Sequence, residues 1–282
     1  MSVIVAPLPA PTVPGVEVSS TDGSLTAVVH AGFPGVLLRV ESVGATPIWR
    51  TDGSDWTLVR GAAPMVPSSG LGFAYDAETA PDRTYLYARA QNDPDSYVSI
   101  RQPGWASDDW SAWLISAEDP SASRLVNVEH LPAPVARRSR SAVTDVIGAR
   151  LGAGRRGVRT GASWSMTLMA FDDAERAAIE RLLDTGPLLY HPHPLCQAPL
   201  AGAWLMPGDY PVESYGATEW AHLMTVVVDE VARPATTLTD PLRIPGWGWT
   251  ESTLGLANYA AYASAYPTTW DQLKAGIGGW SQ

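Results

Sequence analysis

Residues 158–187 read VRTGASWSMTLMAFDDAERAAIERLLDTGP and carry two periodicities back to back. In the first half Trp164, Met166 and Leu168 alternate with Ser163, Ser165 and Thr167, the period-two pattern of a strand with one buried face. At Asp172 the period changes. Asp172 and Asp173 offer a side-chain cap and negative charge to the first turn of a helix. Ala174, Ala178, Ile179, Leu182 and Leu183 then recur at helical spacing, and Glu175, Arg176, Glu180 and Arg181 take the other side. Gly186 and Pro187 end the run, so the spacing predicts a helix over about 173–184.

The surroundings of that helix are strand-like. Residues 220–231 form a second long strand candidate, and 187–191, 201–206 and 210–214 are shorter ones, with Pro207, Gly208 and Asp209 as a turn. Residues 123–234 are therefore expected to make a mostly antiparallel β-barrel domain with one flanking helix. Residues 1–122 contain no helical pattern. Candidate strands at 16–19, 25–30, 36–41, 47–50, 56–60, 71–76, 84–90 and 97–101, separated by Pro, Gly, Asp and Asn, indicate an antiparallel β-sandwich. The run from Thr84 to Asn92, preceded by Pro81 and Asp82, resembles the penultimate strand of a fibronectin type III domain, where a Tyr after a Pro-containing corner opens the strand. The remainder, 235–282, opens as a Pro- and Thr-bearing linker and then gathers Trp247, Trp249, Tyr259, Tyr262, Tyr266, Trp270 and Trp280. Burying one aromatic removes about 150–250 Å² from solvent. A segment this short cannot hide them all, so it is expected to be an extended arm docked on the body or on a neighbour.

Composition points to assembly. Only 17% of the 282 residues are charged, while there are 12 Trp and 10 Tyr, a balance that suits protein–protein contacts. A net charge of -10 argues against a surface for nucleic acid, and no sequence-specific nucleic-acid contact is expected. A local exception places much of the positive charge in one short stretch, Arg137, Arg138, Arg140, Arg150, Arg155, Arg156 and Arg159, and Arg suits interfaces with carboxylate-bearing partners. The plainer reading is a solvated loop. One cysteine excludes an internal disulfide framework. The first ten residues lack a basic start and are broken by Pro7 and Pro9, so no signal peptide is expected and synthesis is placed in the cytoplasm. No apolar run reaches the ~18 residues of a membrane span, and no membrane partner is expected.

Catalytic signals are weak throughout. His191, His193 and Cys196 are metal-ligating types within one segment, but no third or fourth ligand is announced by spacing, and Pro192 and Pro194 suit a rigid strand end instead. No metal or other cofactor is expected. Asp108, Asp109, Glu118 and Asp119 sit in loop-like runs, no serine occupies a nucleophile elbow, and Gly152 and Gly154 lead into Arg155 and Arg156 rather than a phosphate loop. The expectation is a protein without catalytic activity. Trp105, Trp110 and Trp113, beside Asp108 and Asp109, are candidates for stacking on sugar rings, or else for a core or subunit contact.

The order of features after Arg156 carries a resemblance. A turn leads to Arg159-Thr-Gly161, an alternating strand, the helix with Ala174-Glu-Arg176 and Leu182-Leu183, then Gly186-Pro-Leu-Leu189. Trp204, the Gly208-Asp209 turn and a closing strand from Val227 to Val231 before Arg233-Pro234 follow. This order resembles the minor tail proteins of long-tailed phages that infect actinobacteria and, more distantly, the ring-forming domain of distal tail proteins. The run from Tyr75 to Pro81 with Tyr85-Leu-Tyr87, and Thr269-Trp-Asp-Gln-Leu273, are similar to such proteins as well. The sequence departs from the family at His191 to Cys196. The resemblance implies a tail-tube-like barrel with one helix, in a virion component of the tail tip or baseplate. It also implies a homo-oligomer, a hexameric ring or else a trimer, between the tail tube protein and other minor tail or hub proteins. Arg137, Arg138, Arg140, Arg155, Arg156, Trp247, Trp249, Trp270 and Trp280 would lie at the interfaces. The alternative function is a carbohydrate- or receptor-binding tail module.

Overall fold

A computed structural model describes residues 11–42, 44, 46–62, 70–105, 110–129, 135–137, 141–144, 153–156, 161–196, 202–215 and 221–235. The chain divides into two compact units, the first comprising 1–108, 119–123 and 234–282, the second 109–118 and 124–233.

The strands of the first unit are β1 (Glu17–Ser19), β2 (Leu25–Val29), β3 (Val36–Glu41), β4 (Trp49–Thr51), β5 (Thr57–Leu58), β6 (Leu71–Asp76), β7 (Thr84–Ala88) and β8 (Val98–Arg101). They form two antiparallel sheets, β1-β2-β3-β6 and β5-β4-β7-β8. The alternation of Val36, Leu38 and Val40 puts all three into one core with Leu25 and Val29 of β2 and Tyr85, Tyr87 and Ile100 of the other sheet. With β1 as an added edge strand, this is the strand order of a fibronectin-type-III-like sandwich. The tyrosine corner is present, because the Ala80 N–H donates to the Tyr85 hydroxyl at 2.8 Å. Part of the β8 edge is closed by Thr12, whose N–H donates to the Arg101 carbonyl at 2.9 Å and whose Oγ1 accepts from the Arg101 N–H at 3.0 Å.

The second unit contains β9 (Ser111–Ser116), β10 (Arg124–Val128), β11 (Ala136–Arg137), β12 (Ser141–Thr144), β13 (Ala153–Arg156), β14 (Ala162–Ala170), α1 (Asp173–Leu183), β15 (Leu188–Pro192), β16 (Ala203–Pro207), β17 (Val212–Tyr215) and β18 (Ala221–Val231). Strands β14-β10-β9-β15-β16-β18 run in antiparallel order, and β18 returns to β14 along a register from Ser163↔Asp229 to Ala170↔His222. That last pairing closes a six-stranded barrel. Both long strands share their remaining edge between two short ones. Along β14 these are β10, opposite Leu168 and Met169, and β11, opposite Ala162 and Ser163. Along β18 they are β17 and β16. The alternation in β14 fills the barrel, with Trp164, Met166 and Leu168 buried against Val228, Val226 and Met224. Strands β12 and β13 pair only with each other, in a separate two-stranded ribbon.

The helix follows the sequence reading. The Asp172 carboxylate accepts the Glu175 N–H at 2.7 Å, and the Glu175 carboxylate accepts the Phe171 N–H at 2.7 Å, so side chains satisfy two donors around the first turn. Ile179, Leu182 and Leu183 are buried, and the helix lies against β14. One strand departs from the reading. Strand β9 precedes residue 123, yet it hydrogen-bonds between β10 and β15 as a barrel strand. The barrel thus draws a strand from the stretch assigned to the sandwich domain.

Candidate functional site

The sequence-derived candidates separate into groups. Arg137 closes β11 with its side chain about half exposed, 4.0 Å from the Glu230 carboxylate. Arg155 and Arg156 lie in β13, opposite Ala142 and Ser141. Arg138, Arg140, Trp247, Trp249, Trp270 and Trp280 fall outside the described residues. Trp105 belongs to the first unit, whereas Trp110 and Trp113 belong to the second, so one unit does not hold all three. Trp113 is a partly buried β9 residue placed opposite Leu125 and His191.

His193 and Cys196 are joined by a turn. The Cys196 N–H donates to the His193 carbonyl at 2.8 Å, and His193 Nδ1 accepts the Leu195 N–H at 3.2 Å. The His193 N–H and the Cys196 thiol both donate to the Ser111 carbonyl, at 2.9 and 3.5 Å, which ties the end of β15 to the start of β9. Burial raises the thiol's pKa, so the thiolate is disfavoured. Among the described residues no three His, Cys, Asp or Glu side chains are grouped to hold a metal ion.

A different constellation is assembled by strand register. Ser214 of β17 stands directly opposite His222 of β18, and its hydroxyl lies 3.0 Å from His222 Nδ1. The other ring nitrogen, Nε2, lies 3.4 Å from an Asp173 carboxylate oxygen at the foot of α1. That 3.4 Å approach is not a hydrogen bond, and Nε2 has no hydrogen-bond partner among the described residues, so the hydroxyl, imidazole and carboxylate do not form a continuous proton relay. No motif announces the grouping, because the three residues belong to three elements and only the β17–β18 register brings two of them together. His222 is 3% exposed, while the Asp173 side chain is 78% exposed, which weakens the carboxylate's hold on the ring. No protein-family model matches the sequence, and no characterised protein is significantly similar to it.

Among the described residues of the first unit a polar cluster is buried around Asp76. Arg50 Nη1 donates to both Asp76 carboxylate oxygens at 2.6 and 2.8 Å, and the Tyr87 hydroxyl donates to Asp76 at 2.9 Å. Glu78 lies 3.5 Å from Arg50 and accepts from Arg60 Nε at 3.0 Å. Arg60 also donates to the carbonyls of Pro234 and Ala235 at 3.0 and 3.2 Å. Burial alone would lower the Arg50 pKa, but Asp76, Tyr87 and Glu78 outweigh it and raise the value, fixing the guanidinium as a cation. Burial raises the Tyr87 phenol well above its ordinary value, and the adjacent Asp76 carboxylate adds to that. The cluster joins β4 and β7 of one sheet to β6 of the other, which makes it a clamp across the sandwich.

Proposed function

We propose that this chain is a non-enzymatic structural component of a phage tail tip, working as a homo-oligomeric ring or collar between the tail tube and the host-recognition apparatus. The observation that carries the reading is a closed six-stranded barrel with a single helix, in a chain that also holds a fibronectin-type-III-like sandwich. The low charge and abundant Trp and Tyr support it, since a ring subunit gives much of its surface to neighbours. A hexamer is the proposed state, with a trimer as the alternative, and the virion is the proposed location. The Ser214–His222 contact is assigned a structural role within the β17–β18 pair. The mass of the purified full chain, from light scattering and electron microscopy, tests the proposal. A ring of defined stoichiometry supports it, and a chain that stays monomeric at every concentration and with tail tube protein present overturns it.

A further inference from the structure

The outer face of the β5-β4-β7-β8 sheet carries a group of aromatic residues. Tyr87 and Val98 turn into the core, so by the pleat their neighbours Ala88 and Tyr97 turn outward. Trp49 stands directly opposite both Ala88 and Leu58 and therefore shares that outer face. Trp56, two residues before Leu58, packs its ring on Tyr97 with centroids 5.8 Å apart and planes tilted by 52°. Trp49, Trp56 and Tyr97 all remain partly exposed.

This pair is fixed by its own loops. The Tyr97 N–H donates to the Pro94 carbonyl at 3.1 Å, and its hydroxyl donates to the Gln91 carbonyl. Residues 52–58 and 91–97 contain Asp52, Asp55, Asp93 and Asp95 and no Lys or Arg. The Asp52 carboxylate accepts the Ser54 N–H at 3.2 Å and the Ser54 hydroxyl at 2.6 Å, whereas Asp55, which precedes Trp56 in the chain, is exposed. Tilted rings offer two apolar walls to the C–H face of a pyranose, and a carboxylate beside them accepts from vicinal sugar hydroxyls. The acidic loops repel phosphate- or carboxylate-bearing polymers.

We infer that the Trp56–Tyr97 pair, edged by Asp55, is a binding site for neutral pyranose oligosaccharides. The inference concerns the sandwich alone and stands or falls independently of ring assembly. Its test is an array of neutral glycans and teichoic-acid-type anionic glycans probed with the full chain, followed by calorimetric titration of the best neutral hit and of a proline-rich decapeptide. Neutral glycans should bind, and Trp56→Ala should weaken the best of them at least tenfold. Asp55→Asn, an exposed change expected to leave the circular dichroism spectrum intact, should weaken it severalfold. Tyr97→Phe should retain stacking and most of the affinity. Absence of any neutral hit, preference for anionic glycans or for the peptide, or affinity unchanged in both Trp56→Ala and Asp55→Asn would each overturn the assignment.

Discussion

Truncating Asp76 is expected to damage the sandwich more than removing its charge together with that of Arg50. The Asp76 carboxylate is fully buried and accepts four hydrogen bonds, two from Arg50, one from the Tyr87 hydroxyl and one from the Glu78 N–H. In Asp76→Ala the guanidinium keeps only Glu78, 3.5 Å away, as a close counter-charge, while the Tyr87 hydroxyl and the Glu78 N–H lose their acceptor. Breaking a buried pair from one side costs about 3–5 kcal/mol, much of it the stranded charge. An orphaned buried donor costs about 1–3 kcal/mol, overlapping with that sum because both groups share one cavity. In the double variant Arg50→Met with Asp76→Leu the pair leaves together, Glu78 gives up Arg50 but keeps Arg60 at 3.0 Å, and the orphaned donors bring a loss of about 1–3 kcal/mol. Urea unfolding of the full chain, followed by fluorescence and circular dichroism, measures the difference. With a slope of about 1–3 kcal/mol per molar, a loss of about 4 kcal/mol moves the midpoint by more than roughly 1 M. A double variant less stable than Asp76→Ala, or a single variant within about 1 kcal/mol of wild type, would show that the clamp is not held by this charge pair.

Leu182→Ala is expected to cost about 2–5 kcal/mol, because Leu182 is fully buried under α1, and a negligible loss by thermal unfolding would place the helix outside the barrel's cooperative core. Tyr75 and Tyr87 both have phenol pKa values raised well above 10.0, chiefly by burial. Their neutral forms stabilise the fold fully below the unfolded pKa, and that contribution is lost as pH rises through the folded values. A titration at 295 nm should therefore leave these two phenols silent until the chain unfolds, and their free ionisation near pH 10 in folded protein would contradict the burial argument. Fluorophosphonate probes should leave Ser214 unmodified, and labelling abolished by Ser214→Ala would overturn the non-enzymatic proposal. Truncation after Ala235 keeps both carbonyls that Arg60 binds, so the two units should stay folded while incorporation into tail tips weakens. Normal incorporation would end the anchoring role expected of residues 236–282.

The elements legible in the sequence were those whose pattern is local. The alternation from Ser163 to Leu168 and the helical spacing from Ala174 to Leu183 became β14 and α1 because each buries one face, and the Asp172 cap fixed where one period gave way to the other. Strand β9 was hidden for the opposite reason. Ala112, Leu114 and Ile115 are all fully buried, so Ser111–Ser116 shows little alternation, and its allegiance to the barrel depends on pairing with β15, far along the chain. Alternation also understated β2 and β3, where Val28 and Leu37, on the face opposite the core, are fully buried too. The Ser214–His222 contact and the Trp56–Tyr97 pair were out of reach for a related reason. Each depends on which strand lies beside which, and residue types at short spacing do not encode that.

Strand edges constrain how such a chain can assemble. Closing the barrel removes the long edges that would otherwise pair with a second copy, leaving among the described barrel strands the outer sides of two-residue β11 and four-residue β17. In the sandwich β1 and β5 are short, and Thr12 covers part of β8. Sheet continuation is thus a poor route to a ring, and side-chain faces and projecting segments are the better one. Among the described residues the β12–β13 ribbon joins none of the other sheets, and a two-stranded ribbon is marginal in water by itself. Arg155 and Arg156 lie within that ribbon on a chain of net charge -10, so if the proposed ring used it, salt would screen the contact and ionic strength as well as dilution would drive dissociation.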